Sequence, residues 1–352
     1  MRGLFLNTEP AICSIHESGK MIYAALTKSK CHRIDYLEMS WGKNKIPGGY
    51  DFYIYNYHYA TTAWIKASQL KSLPGTKICV VLEVSPNDPF VLTPKDIFDA
   101  YMVIDPTIKR EGNVYPFPRP LEHQDIKPYI SKAFPVIGSF GLLGSGKGFP
   151  EIVEAVGKEF DHAVIRFNFA PATHALYDVD AVLSECRKKL KPGIELNITN
   201  NFMSKKELIA WLSKNTLNVF LYTRDMPGLA ATTDQAIASG RPLAISRNDT
   251  FRHILPYVTP YPERSLKESI RVSTKEIYRM QTDWSMKAFA LTFDKMIKSI
   301  AVFKTPKEDI VIPRRNFMVQ YFATTIFPTI VRVKKAAERR AFGKEIITIG
   351  KH

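Results

Sequence analysis

The chain has 352 residues, 45% of them hydrophobic and 24% charged, proportions ordinary for soluble globular proteins. Extended disorder is therefore excluded, and the length suits two domains of about 100–200 residues each. The longest apolar stretches, such as "FATTIFPTIV" at 322–331, fall short of the roughly 18 residues needed to cross a bilayer. The net charge of +15 points instead to an anionic partner or substrate.

The first residues, "MRGLFLNTEP", carry one basic residue and a short apolar run with no small-residue cleavage site, so they read as a first β-strand and not as a leader. Strands are expected at 3–7, 51–56, 77–83 and 101–105, separated by helical stretches at 17–29 and 61–70. Together they make a first nucleotide-fold-like lobe over 1–133. The Pro-rich polar segment 114–135 reads as a linker.

From residue 134 the alternation is regular. Strands are expected at 135–140, 163–169, 195–199, 217–222 and 242–246, each pair separated by one helix. Ile152, Val153, Val156 and Phe160 share one face at a period of 3.6. Ser204 and Glu207 have the spacing of a capping box. The helix expected at 229–239 stops at Gly240 with Pro242 beyond. Four successive β-α-β crossovers imply a parallel, doubly wound sheet. The fold class is thus α/β, with two Rossmann-like lobes facing a cleft, the second lobe over 134–300 and a basic helical extension over 301–352. In open α/β sheets ligands bind beyond the carboxyl ends of the strands, so the interlobe cleft is the expected site.

The segment "GLLGSGKG" at 141–148 fits the phosphate-binding pattern G-x-x-x-x-G-K-[ST] except at its last position. Gly148 replaces the hydroxyl that would hold magnesium, so NTP hydrolysis is not expected. What remains is a glycine-rich turn feeding a helix, with Lys147 on its rim. That arrangement suits a bound diphosphate that is not hydrolysed.

On these residues the chain resembles the retaining GT-B glycosyltransferases of the large family-four type. There a second-lobe strand leads into G-R-L-x-x-x-K-G, matched here by the Lys147-Gly148 end of "GLLGSGKG". The family's E-x7-E segment is matched in rhythm by "PGLAATTDQAIASGRPLAIS" at 227–246. The departures are Leu142 in place of the motif arginine, and Pro227 and Gln235 in place of the two glutamates.

The resemblance implies transfer of a sugar from a nucleotide-sugar donor to a hydroxyl acceptor. Lys147 would neutralise the donor diphosphate, with Gly141 and Gly228-Leu229 beside it. The N-terminus of helix 229–239 would face the same phosphates. Gln235 or Asp234 would hold the ribose, with Asp225 as a further acid in a shifted geometry. Arg247 and Arg252 are candidates to replace the missing arginine, because the guanidinium fork is fixed and always charged; a surface salt bridge is the competing reading of each.

The acceptor is expected on first-lobe loops that carry Glu9, His16, Glu17, Lys20, Asn56, His58 and Glu83. If the enzyme inverts, one of Glu9, His16, His58 or Glu83 deprotonates the acceptor hydroxyl. If it retains, these groups only orient it, with Glu17, Lys20 and Asn56 binding alongside. The "DVD" at 178–180 sits at a helix start, where acids complement the dipole. Neither a metal nor another cofactor is expected.

The cysteines Cys13, Cys31, Cys79 and Cys186 lack metal-site or disulfide spacing, which fits a reducing cytoplasm. Residues 313–352 hold nine Lys/Arg against two acids. With Phe317, Tyr321, Phe322, Phe327 and Ile330 among them, they read either as a helix lying on the inner face of a membrane, beside a glycolipid acceptor, or as helices packed across the lobes. The basic surface also admits a DNA-modifying transferase or other nucleic-acid binder. The missing glutamates admit a sugar-nucleotide-binding protein without catalysis.

Overall fold

The computed structural model describes residues 1–8, 14–39, 45–58, 62, 73–85, 90, 93, 97–122, 133–142, 146–170, 179–223 and 228–302. Its described strands form two parallel sheets.

The first sheet contains β1 (Arg2–Thr8), β2 (Arg33–Met39), β3 (Phe52–Tyr57), β4 (Thr76–Val81), β5 (Ala100–Val103) and β6 (Val114–Pro116), in the spatial order β2-β1-β3-β4-β5-β6. Helix α1 (Ser14–Leu26) connects β1 to β2. Every described residue of β3 and β5 is buried, as expected for parallel strands covered on both faces. The expected strands at 3–7, 51–56, 77–83 and 101–105 correspond to β1, β3, β4 and β5. Edge strand β2 was not expected, because Asp35 and Glu38 break its apolar pattern. Edge strand β6 lies in the segment read as linker. The helix expected at 61–70 lies outside the described residues, except for Thr62.

The second sheet contains β7 (Val136–Leu142), β8 (Ala163–Ala170), β9 (Ile194–Thr199), β10 (Leu217–Phe220) and β11 (Leu243–Ile245), ordered β11-β10-β7-β8-β9. Each expected second-lobe strand is present in chain order. The helices between them are α2 (Phe149–Glu159), α3 (Val179–Lys188), α4 (Lys205–Ser213) and α5 (Thr232–Ala238). Ile152, Val153 and Val156 of α2 face the core, with Phe160 packed partly buried beside them. The capping box at α4 is formed: the Glu207 amide donates to Ser204 Oγ at 3.3 Å and the Ser204 amide donates to Glu207 Oε2 at 2.8 Å. Such a cap stabilises a helix by about 1 kcal/mol.

The chain then runs through α6 (Leu266–Asp283) and α7 (Met286–Val302). Helix α7 leaves the second lobe and packs on the first. Phe289, Phe293, Met296 and Ile297 join the core formed by Ile22, Phe52 and Ile78. Ser29 Oγ donates to Asp294 Oδ1 at 2.6 Å, and the Tyr115 and Ser299 hydroxyls meet at 2.9 Å. Complete burial of each of these aromatic side chains contributes about 1.5–3 kcal/mol, so α7 is held by the first lobe although it follows the second in sequence.

Direct contacts tie the lobes at the carboxyl ends of the first-sheet strands. The Gly228 amide donates to the Val84 carbonyl at 2.9 Å. Arg252, after β11, donates through Nε to Asp105 Oδ2 at 2.8 Å and through Nη2 to the Val84 carbonyl at 2.9 Å. Arg119, just before the second lobe, donates through Nε to Asp234 Oδ2 in α5 and through Nη2 to Ser18 Oγ in α1 at 3.2 Å. Asp105 is fully buried and Asp234 nearly so. A buried carboxylate needs such a counter-charge, and breaking a pair of this kind is costly.

Candidate functional site

Strand β7 ends in the glycine loop. Gly148, the N-cap of α2, has φ +73°, and a Cβ there would collide with the Leu221 carbonyl oxygen. Only glycine therefore lets the loop lie against the end of β10. The Thr223 amide donates to the Gly146 carbonyl at 3.0 Å, closing the turn against the same strand.

This packing brings Lys147 to the second lobe's carboxyl edge. Its Nζ donates to the Tyr222 hydroxyl at 3.0 Å and lies 4.2 Å from the Tyr222 ring centroid. The Tyr222 and Thr232 hydroxyl oxygens are 3.0 Å apart. A Cβ at Gly141 would stand 3.6 Å from the Thr232 methyl. Gly141, Lys147, Tyr222 and Thr232 thus converge from β7, the glycine loop, the end of β10 and the start of α5. Neither Tyr222 nor Thr232 was singled out by sequence. The legible signal was only their place, at the end of an expected strand and in the loop-to-helix segment after it. The helix expected at 229–239 begins at Thr232, so a side-chain hydroxyl marks its start.

The other donor-side candidates separate. Gly228 is buried with φ +88°, and a Cβ there would lie 2.7 Å from Glu83 Oε2, so the Gly228-Leu229 loop sits directly against the first lobe. Gln235 lines a small cleft with Met21, Leu121, Lys205 and Asp234. Asp234 is taken by Arg119; burial pushes its carboxyl upward while Arg119 opposes the shift. Its Oδ1 has no partner among the described residues.

Arg247 forms a two-pronged, exposed salt bridge with Glu263, at 2.7 and 2.6 Å. Arg252 was a candidate for the diphosphate, but its guanidinium is committed to Asp105, Val84 and the Asp249 carbonyl. A buried lobe-bridging role leaves it no free donor fork. The neighbouring His253 is buried and stacks on Trp284, with ring centroids 5.5 Å apart; burial keeps it neutral. Asp225 lies outside the described residues.

On the first lobe, His16 is buried, with Nε2 at 2.8 Å from Glu38 Oε1 and Nδ1 at 3.5 Å from Glu17. Glu17 also stands 3.8 Å from Lys20. Asn56 is a buried structural amide: its Nδ2 donates to Asn7 Oδ1 at 2.7 Å and to the Ile15 carbonyl at 3.0 Å. Its Oδ1 has no hydrogen-bond partner among the described residues. Glu9 lies outside the described residues.

His58 follows β3 and Glu83 follows β4; they approach each other at 3.9 Å, Nε2 to Oε1, and Glu83 lies against the second-lobe Gly228. Burial pushes the Glu83 carboxyl upward, against the pull of Arg119. Burial also lowers the His58 imidazole from 6.5 to about 4. Among the described proton-transfer candidates, Glu83 meets the second-lobe loop at Gly228, and His58 stands beside Glu83.

The low His58 value fixes a stability trend. Between pH 6.5 and 4 the unfolded chain binds a proton at this position that the folded chain rejects, so stability is complete above 6.5 and is lost as pH falls toward 4. The full contribution is roughly 3 kcal/mol. His32 and His253, also lowered by burial, act in the same direction. His58→Gln is expected to flatten the profile between pH 4 and 6.5 in urea unfolding; a profile as steep as the unmutated protein's contradicts this.

Among the described residues no group of three or more His, Cys, Asp or Glu is arranged to hold a metal ion. Asp180 lies in the first turn of α3, the favourable place for an acid. No described helix is long and apolar enough to cross a membrane. The tail 313–352 lies outside the described residues.

No protein-family model matches the chain, and no curated protein matches it in sequence. Solved structures do match in shape. Anabaena HepE, crystallised with UDP and glucose, aligns over 85% of this chain and 100% of its own, with a TM-score of 0.55 and 11% identity. A glycosyltransferase from Rickettsia africae aligns over 86% and 100%, with a TM-score of 0.57 and 11% identity. The apo form of OtsA aligns over 89% and 100%, with a TM-score of 0.58 and 12% identity. Two parallel Rossmann-like sheets, joined through Arg119 and Arg252 and aligned along nearly the whole length of these proteins, give the chain the GT-B fold.

Proposed function

We propose that this protein is a glycosyltransferase that moves a sugar from a nucleotide-sugar donor to a hydroxyl acceptor on a glycan or glycolipid, in the manner of the family-four enzymes. The observation that carries the reading is the position of Lys147. Its ammonium stands on the rim of a glycine loop at the carboxyl edge of the second sheet, where open α/β folds bind ligands. A fixed cation there stabilises the charge that develops on a departing diphosphate. HepE, which has the same fold, was crystallised with UDP and glucose, and this supports a nucleotide-sugar donor.

On the first lobe, Glu83 with His58 is the pair proposed to receive the acceptor. The raised Glu83 carboxyl suits proton exchange with a hydroxyl, and the neutral His58 suits a hydrogen bond. Lys147 supplies the counter-charge that a divalent ion supplies elsewhere, so turnover is metal-independent. Reducing cytoplasm is the proposed location, with 313–352 as a contact to an anionic membrane surface.

A thermal-shift screen of UDP-, GDP- and ADP-sugars, with the free diphosphates, tests the reading. One nucleotide class is expected to raise the melting temperature by several degrees, and equally so in EDTA. A screen in which no nucleotide stabilises the protein sinks it.

A further inference from the structure

Lys147, Tyr222 and Thr232 form a chain of groups whose hydrogen bonds have a direction. An ammonium has only protons to give, so the Tyr222 oxygen must accept from Lys147 Nζ at 3.0 Å. The Tyr222 proton then has one other hydroxyl within reach among the described residues, Thr232 Oγ1 at 3.0 Å. Either oxygen of this pair can be the donor; when Tyr222 donates, Thr232 accepts, and its own proton has no acceptor among the described residues. The chain ends in a hydroxyl ready to donate, beside an ammonium ready to donate. Both face the requirement of one ligand chemistry, a cluster of anionic oxygens.

Tyr222 is also fixed from behind. Its ring packs at 4.8 Å, centroid to centroid, on the buried Phe251. Its carbonyl accepts from Ser246 Oγ at 2.7 Å. Only 7% of the residue is exposed. The ring face holds the Lys147 ammonium at 4.2 Å, a cation–π contact. A flexible lysine, which otherwise loses up to about 2 kcal/mol of rotamer freedom when it is fixed, is already restrained before any ligand arrives.

We propose that Tyr222 is a positioning residue of the diphosphate site: it parks the Lys147 ammonium and turns the Thr232 hydroxyl outward, so that both donate to the phosphates of the sugar nucleotide. This rests on the function proposed above and specifies how its anion is held. The consequence is a dependence on phosphate and not on the nucleoside.

Tyr222→Phe keeps the ring and removes the hydroxyl. Isothermal titration of UDP, GDP and ADP, with uridine, guanosine and adenosine as phosphate-free controls, is expected to show a roughly tenfold weaker Kd for the diphosphate that binds, the loss typical of a hydrogen bond to a charged group. The nucleoside should bind both proteins alike. Thr232→Val is expected to give a similar loss, and the double variant no more than the larger single loss, because both changes cut one relay.

Equal diphosphate binding by Tyr222→Phe and the unmutated protein overturns the proposal. So do losses that multiply in the double variant, or an equal loss for nucleoside and diphosphate, which marks a structural role. Failure of the unmutated protein to bind any of the three diphosphates is a different outcome: it removes the donor reading itself and this proposal with it.

Discussion

Lys147→Ala is expected to lower kcat/KM for the nucleotide-sugar donor by about 10²–10³, the cost of removing one preorganised donor from developing negative charge. The fold should be left intact. Lys147 is half-buried, and its described side-chain contacts are to the hydroxyl and ring of Tyr222, so its loss empties no core. The loss should appear mainly in kcat, because a leaving diphosphate carries more charge in the transition state than in the bound donor. Steady-state kinetics with the donor found by thermal shift checks this. Unchanged kcat/KM would remove Lys147 from the reaction.

The second large effect is structural. Arg252→Ala leaves the Asp105 carboxylate, fully buried, without its guanidinium partner, and frees the Val84 carbonyl that Arg252 also bonds. Breaking a buried ion pair from one side costs about 3–5 kcal/mol, which in domains of this size lowers the melting temperature by about 10 °C. Arg247→Ala is the matched control. Its pair with Glu263 is exposed, and such pairs contribute little, so the melting temperature should hardly move. Calorimetry of the two variants distinguishes them. Equal small shifts would show that Arg252 is not a strut between the lobes.

These two arginines show where sequence reasoning stops. Arg247 and Arg252 stand five residues apart after the same strand and look equally suited to a phosphate. Which one meets a carboxylate is decided by Asp105 and Glu263, and only folding brings Asp105, 147 residues away from Arg252, beside it. Arg119 was hidden for the same reason: within a Pro-rich segment it resembled a linker residue, yet it bonds Asp234 in the other lobe.

The second sheet was legible because its strands are short apolar runs bounded by turn residues. The glycine loop was legible because a left-handed backbone position at Gly148 restricts the residue type. Edge strand β2 escaped because its half-exposed residues include charged ones that blur the pattern, and β6 because three residues within a Pro-rich segment are too short to read as a run. Phe289, Phe293, Met296 and Ile297 of α7 recur at helical spacing, but period alone cannot say which sheet they cover. Tyr222 carried no motif; its role depends on Lys147 and Thr232 arriving from other segments.

The most direct test of the account is a crystal structure of the protein with the nucleoside diphosphate, UDP or GDP, that stabilises it. The account predicts the diphosphate over the glycine loop, with phosphate oxygens within hydrogen-bonding distance of Lys147 Nζ and Thr232 Oγ1, and Glu83 facing it across the cleft. A nucleotide bound elsewhere, with Lys147 still resting on Tyr222, would contradict it.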